Sequence, residues 1–91
     1  MTRRDARLES YINQARPYFE HMLAEMVELP SISMDPAHAQ DVRRTAELAV
    51  QFLKDLGAEA RIVETGGYPV VSGGWTTGKQ HPTVMIYNHL D

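Results

Sequence analysis

The chain has no cysteine among its 91 residues. That excludes a disulfide framework and any site built on thiolates, and leaves the redox compartment open. No apolar run approaches the ~18 residues that a membrane span requires. The first residues, Met1-Thr2-Arg3-Arg4-Asp5, are charged and lack the apolar stretch of a secretory leader. Positive charge is not in excess either: 9 Lys and Arg stand against 12 Asp and Glu, for a net charge of −3. Nucleic acid and anionic membranes are therefore poor candidates as partners. Arg3, Arg4 and Arg7 gather near the start, but Asp5 and Glu9 interleave with them, which describes a solvated helix face. There is no internal repeat and no low-complexity tract. These absences give the expectation of a soluble, cytoplasmic chain.

What remains is an ordinary globular composition, 43% hydrophobic and 23% charged, which does not suggest disorder. A chain of this length is one domain or part of one. It buries only about 60–65% of the surface its unfolded form exposes, so a thin core is expected.

From about Asp5 to Glu28 the apolar residues Leu8, Tyr11, Ile12, Ala15, Phe19, Met22, Leu23, Met26 and Val27 recur in steps of three and four. That is the stripe of an amphipathic helix. Pro17 interrupts the run; proline removes a hydrogen bond and crowds the carbonyl four residues back. A helix kinked at Pro17, or two helices nearly end to end, is expected, closing before Pro30. Asp35-Pro36 has the form of a helix cap followed by a first-position proline, and Asp41 is a second possible cap. The helix that follows carries the stripe Val42, Ala46, Ala49, Val50, Leu53 and Leu56. Gly57 stands where a left-handed cap is expected.

Beyond Gly57 the period changes. Glu59–Glu64 reads as a strand, Gly66-Gly67 as a turn, and Pro69–Trp75 as a second strand with its proline at the start. Gly73-Gly74 suggests a bulge or a close backbone approach. Thr76–Pro82 is a polar hairpin loop, and Thr83–Asn88 a third, mostly apolar strand, of the kind covered on both faces. The fold class expected is α/β, with two helices on a three-stranded portion of a mixed sheet.

The third strand ends on His89-Leu90-Asp91. In open α/β sheets, chemistry collects beyond the carboxyl ends of strands. A His and an Asp two residues apart at such a place can act as metal ligand and carboxylate. A zinc site needs three or four protein ligands, so this pair alone is part of a site. The other histidines read more plainly: His21 as a boundary or surface residue on the first helix, His38 and His81 as solvated loop residues. Glu25 and Glu28 read as a solvated helix face, and Met22, Met26, Met34 and Met85 as core filler. Trp75 and Tyr87 read as ordinary packing.

Taken in order, the first helix, Leu29-Pro30-Ser31-Ile32-Ser33, the Asp41-Val42-Arg43-Arg44 helix, Leu56-Gly57, Tyr68-Pro69-Val70-Val71 and Pro82-Thr83-Val84-Met85-Ile86-Tyr87-Asn88-His89-Leu90-Asp91 resemble the N-terminal part of the M20 family of metallopeptidases. Tyr-Pro-Val-Val and Ile-Tyr-Asn-His-Leu-Asp look most like its dipeptidase, carnosinase-like branch. The resemblance covers nearly the whole chain from about Leu8, and rests on order and spacing rather than on one motif. It implies that residues 1–91 form the N-terminal part of a catalytic domain with a central mixed sheet flanked by helices. It also implies two metal ions, usually zinc, and a peptide or dipeptide substrate in the whole enzyme, with the metal positions expected to be unoccupied in the 91 residues alone. His89 matches a metal ligand and Asp91 the acid that fixes its imidazole. The bridging aspartate, the glutamate general base, the remaining ligands and the inserted dimerisation domain of the family have no counterpart here. Where the family usually has Gly before the His, this chain has Asn88, which tolerates left-handed backbone better than most residues.

By this reading the 91-residue chain is inactive alone, and Asp91 frays. The alternative is a small non-catalytic α/β module that binds a partner or itself. An unpaired apolar strand invites another chain, so a homo-oligomer is expected.

Overall fold

A computed structural model describes residues 5–91. Arg3 and Arg4 of the basic cluster lie outside the described residues. Helix α1 spans Ala6–Glu28. It begins where Asp5, in extended backbone, accepts from the amides of Arg7 at 2.8 Å and Leu8 at 3.4 Å, the usual way an Asp satisfies donors that have no partner in the first turn. It ends at Leu29, whose extended backbone precedes Pro30. Pro17 lies inside one uninterrupted helix, so the division into two end-to-end helices is not found. A single proline removes one hydrogen bond of the ladder, and the turns on either side remain intact. Arg16 and Glu20, at 3.2 Å, bridge the position on the surface.

A turn leads to a short 3-10 helix, Pro36–His38, capped by the Asp35 carboxylate on the Ala37 amide at 3.0 Å. Helix α2, Ala39–Asp55, follows directly. It closes as expected at Gly57, which has φ +91°. The amide of Gly57 bonds the Lys54 carbonyl at 2.9 Å and that of Ala58 the Leu53 carbonyl at 3.0 Å. This paired closure requires a left-handed residue at Gly57.

Strands β1, Glu59–Val63, and β2, Val70–Gly74, form an antiparallel hairpin in unbroken register from Glu59 opposite Gly74 to Val63 opposite Val70. Thr65 shapes the connection, donating to the Tyr68 carbonyl at 2.7 Å and accepting from the Gly67 amide at 3.0 Å. Helix α2 lies on this hairpin. Its buried residues are Thr45, Ala46 and Ala49, and small side chains there let helix and sheet approach. A Cβ on Gly73 would lie 3.0 Å from the Glu59 carbonyl oxygen and 3.1 Å from Leu53 Cδ1. Gly73 therefore marks a close approach, Gly74 faces open space, and the unbroken register holds no bulge. Thr45, at 1% exposure, satisfies its hydroxyl by donating to the Asp41 carbonyl at 2.9 Å. Arg43 pairs with Glu64 across the edge of this unit.

The expected three-stranded mixed sheet is corrected by the observed one: among the described residues there are two strands, both antiparallel, in one sheet. Thr83–Asn88 is not a strand. Val84, Ile86 and Tyr87 are each 80% exposed and Met85 91%, so Met85 is not core filler; nor is Met34, equally open, and Trp75 and Tyr87 are exposed rather than packed. The cause is general: a β-prone sequence becomes a strand only when a neighbour takes its amides and carbonyls, and neither β1 nor β2 pairs with it. The apolar stripe of α1 is likewise largely open, with Leu8, Tyr11, Ile12, Phe19, Leu23 and Val27 all exposed and no residue of the helix buried.

Candidate functional site

The last three residues fold back against the turn that joins α1 to the 3-10 helix. That turn is tight. The amides of Ser31 and Ile32 bond the carbonyls of Leu29 and Pro30, each at 2.8 Å, and Asp35 N–H bonds the Ile32 carbonyl at 3.2 Å. Ser31 and Ser33 are half-buried within it. Ser31 Oγ donates to the Leu90 carbonyl at 3.2 Å, and Ser33 Oγ to the second carboxylate oxygen of Asp91. The first oxygen of Asp91 lies 3.2 Å from His89 Nδ1. The Tyr87 and His89 rings meet edge to face, with centroids 5.8 Å apart and planes at 68°. Asp91 is held rather than frayed, contrary to the expectation for a chain end.

The electrostatics of the pair follow from these contacts. The Ser33 hydroxyl, and after it the His89 ring, hold the Asp91 carboxyl below the usual carboxylate range, because each donates to the ionised form. An ionised carboxylate only accepts, so the neutral imidazole carries its proton on Nδ1 and keeps a lone pair on Nε2. That is the tautomer a metal-binding histidine adopts when a carboxylate steadies it. The His89 side chain is 76% exposed.

The residues therefore suit a single orientated ligand. They do not gather a complete cation site: among the described residues no three His, Asp or Glu side chains converge as a metal group would require. His21 sits 2.7 Å from Glu25 on the surface of α1, as a boundary histidine should. His81 Nδ1 lies 2.7 Å from the Thr77 hydroxyl in the exposed loop. His38 departs from its expected solvated place. It ends the 3-10 helix, with Nδ1 at 3.0 Å from Asp41 and Nε2 at 3.9 Å from Asp35. A carboxylate thus lies beside each ring nitrogen, that of Asp35, which caps the 3-10 helix, and that of Asp41, which stands in the first turn of α2 rather than at its cap. Glu25 and Glu28 flank a shallow hollow between α1 and α2 with Arg44 and Glu47.

Asp91 thus lies beside the His89 ring, a contact that the resemblance implied and the spacing alone did not. Ser31 and Ser33 had no role assigned from the sequence. Their contacts to the tip span 59 and 58 residues, a separation at which neither periodicity nor local spacing gives a signal; the one hint was the presence of both serines in the Pro-Ser-Ile-Ser segment of the resemblance. No family model matches the chain, and no solved structure matches it. Among the described residues, no helix is long and apolar enough to cross a membrane.

Proposed function

We propose that the chain is the N-terminal portion of a di-metal dipeptidase or aminoacyl hydrolase, and that His89 is a metal ligand steadied by Asp91. The observation that carries this reading is the 3.2 Å contact between His89 Nδ1 and Asp91, with Nε2 left free. Zinc, when bound, polarises a scissile carbonyl and lowers the pKa of its water to about 7. His89 contributes one lone pair to such an ion. Asp91 keeps that lone pair aimed by holding the opposite ring proton. The remaining ligands and the general base are not supplied by residues 5–91, so the chain alone turns over no peptide. A cytoplasmic setting and a peptide or dipeptide substrate belong to the same proposal.

A zinc titration of the isotopically labelled chain, followed at its four imidazoles, tests it. The His89 resonances respond at the lowest zinc concentration, ahead of His21, His38 and His81. An equal response from all four, or none at His89, sinks the assignment. A second reading, a non-catalytic module that self-associates, is favoured by the exposed apolar residues Val84 to Tyr87. Sedimentation over a concentration series checks it: a mass that stays that of one chain removes this reading.

A further inference from the structure

The segment that carries the candidate ligand has little else to hold it. From Thr83 to Tyr87 it pairs with no strand and its large apolar side chains face solvent. Among the described residues, the hydrogen bonds from residues 82–91 to the rest of the chain are the two made by Ser31 and Ser33. They differ in kind. Ser31 holds the backbone at Leu90, and so sets where the tip lies. Ser33 holds the Asp91 oxygen that His89 does not use, and so sets how the carboxylate is turned. A carboxylate fixed at one oxygen presents the other in a defined direction, and the imidazole follows it.

We propose that the turn between α1 and the 3-10 helix positions the candidate metal-ligand tip: Ser31 fixes the place of the tip, and Ser33 acts through Asp91 to orient the His89 ring. Ser33 is a positioning residue that touches neither ion nor substrate. The link to a metal rests on the function proposed above, whereas the ordering of tip and ring stands on the hydrogen bonds alone.

The test separates the two. In the intact 91-residue chain, labelled with nitrogen-15 and held at about pH 8, where an unperturbed imidazole is neutral, the ring nitrogens of His89 report the tautomer directly. The parent shows Nδ1 protonated and Nε2 bare. Ser33→Ala loses this preference and moves His89 toward a mixture of tautomers; Ser33→Thr, which keeps the hydroxyl, restores it. His21 and His81 do not change in either variant. Zinc as the added probe then binds His89 roughly 3- to 10-fold more weakly in Ser33→Ala than in the parent. That is a smaller loss than the 10- to 100-fold typical of removing a ligand's direct partner, since Ser33 is one bond further out. An unchanged His89 tautomer in Ser33→Ala overturns the positioning role, whatever zinc does. A shifted tautomer with no zinc response at His89 in any variant upholds positioning and overturns the metal reading. Should Ser33→Ala fail to fold, the parent chain decides: proton contacts between the Ser33 methylene and residues 90–91 are expected, and their absence defeats the proposal.

Discussion

Helix α2 and helix α1 are both amphipathic in sequence, yet only one is used as a core helix. On α2, which packs on the β1–β2 hairpin, Thr45, Ala46 and Ala49 are buried. On α1, 23 residues long, nothing is buried and Phe19 is 55% exposed. The difference lies in what stands opposite. The hairpin follows α2 after a three-residue closure, Leu56 to Ala58, and folds straight back onto it, so contacts are local in sequence and cheap in loop entropy. Helix α1 has no such surface waiting for its stripe. Amphipathicity predicts a face that needs a partner and does not guarantee that one is present. The same holds for Thr83–Tyr87, where a strand-like sequence lacks a neighbouring strand.

Damage to α2 has the largest consequence. Ala46 is 3% exposed, and Ala46→Asp puts a carboxylate with no partner on the buried face of α2. Such a change costs at least about 3 kcal/mol, a large part of the stability of a chain with so small a core. Loss of the cooperative thermal transition by circular dichroism is expected. A variant that melts like the parent refutes the view that the α2–hairpin contact is the core.

The matching change on α1 is Phe19→Ala. A side chain more than half open to solvent contributes little to a single folded chain, so the shift in unfolding free energy stays within about 0.5 kcal/mol of the parent. Measuring it at low and high protein concentration sharpens the test. A loss that grows with concentration identifies the α1 stripe as a surface covered by a second copy, because association stabilises by mass action. A large loss independent of concentration means that the stripe is packed within one chain, against the exposure seen here.

The parts of the fold that were readable from sequence are those set by neighbours in the chain. The Asp35-Pro36 start, the Gly57 closure and the two hairpin strands are local events, and they fall within a residue or so of their expected places. The third strand was not readable because strandhood belongs to a pair. Thr45 does not stand out in the sequence as a core residue because its hydroxyl reads as polar; its bond to the Asp41 carbonyl, four residues back, is what permits burial. At the candidate site, the His89–Asp91 pairing comes from the resemblance, and a spacing of two is only compatible with it. The Ser33–Asp91 contact depends on how a turn and a tail meet in space, and only the structure places them together.

The smallest effect concerns the tail alone and carries a sign. The Asp91 carboxyl is lowered, first by the Ser33 hydroxyl and then by His89. Its contribution to holding the tip is therefore complete above the ordinary carboxylate pKa and is lost as pH falls through the lower folded value. Protonated Asp91 no longer accepts from both Ser33 and His89, and the tip comes free. The α2–hairpin unit does not depend on this contact, so its melting is unaffected by the release. Carbon-detected titration of the Asp91 carboxyl shows the midpoint, and the amides of Leu90 and Asp91 follow it. In Ser33→Ala the midpoint rises toward the ordinary value. If the parent and Ser33→Ala titrate together, the hydroxyl does not hold the carboxylate in solution, and the tail is as free as its exposed apolar residues would make it.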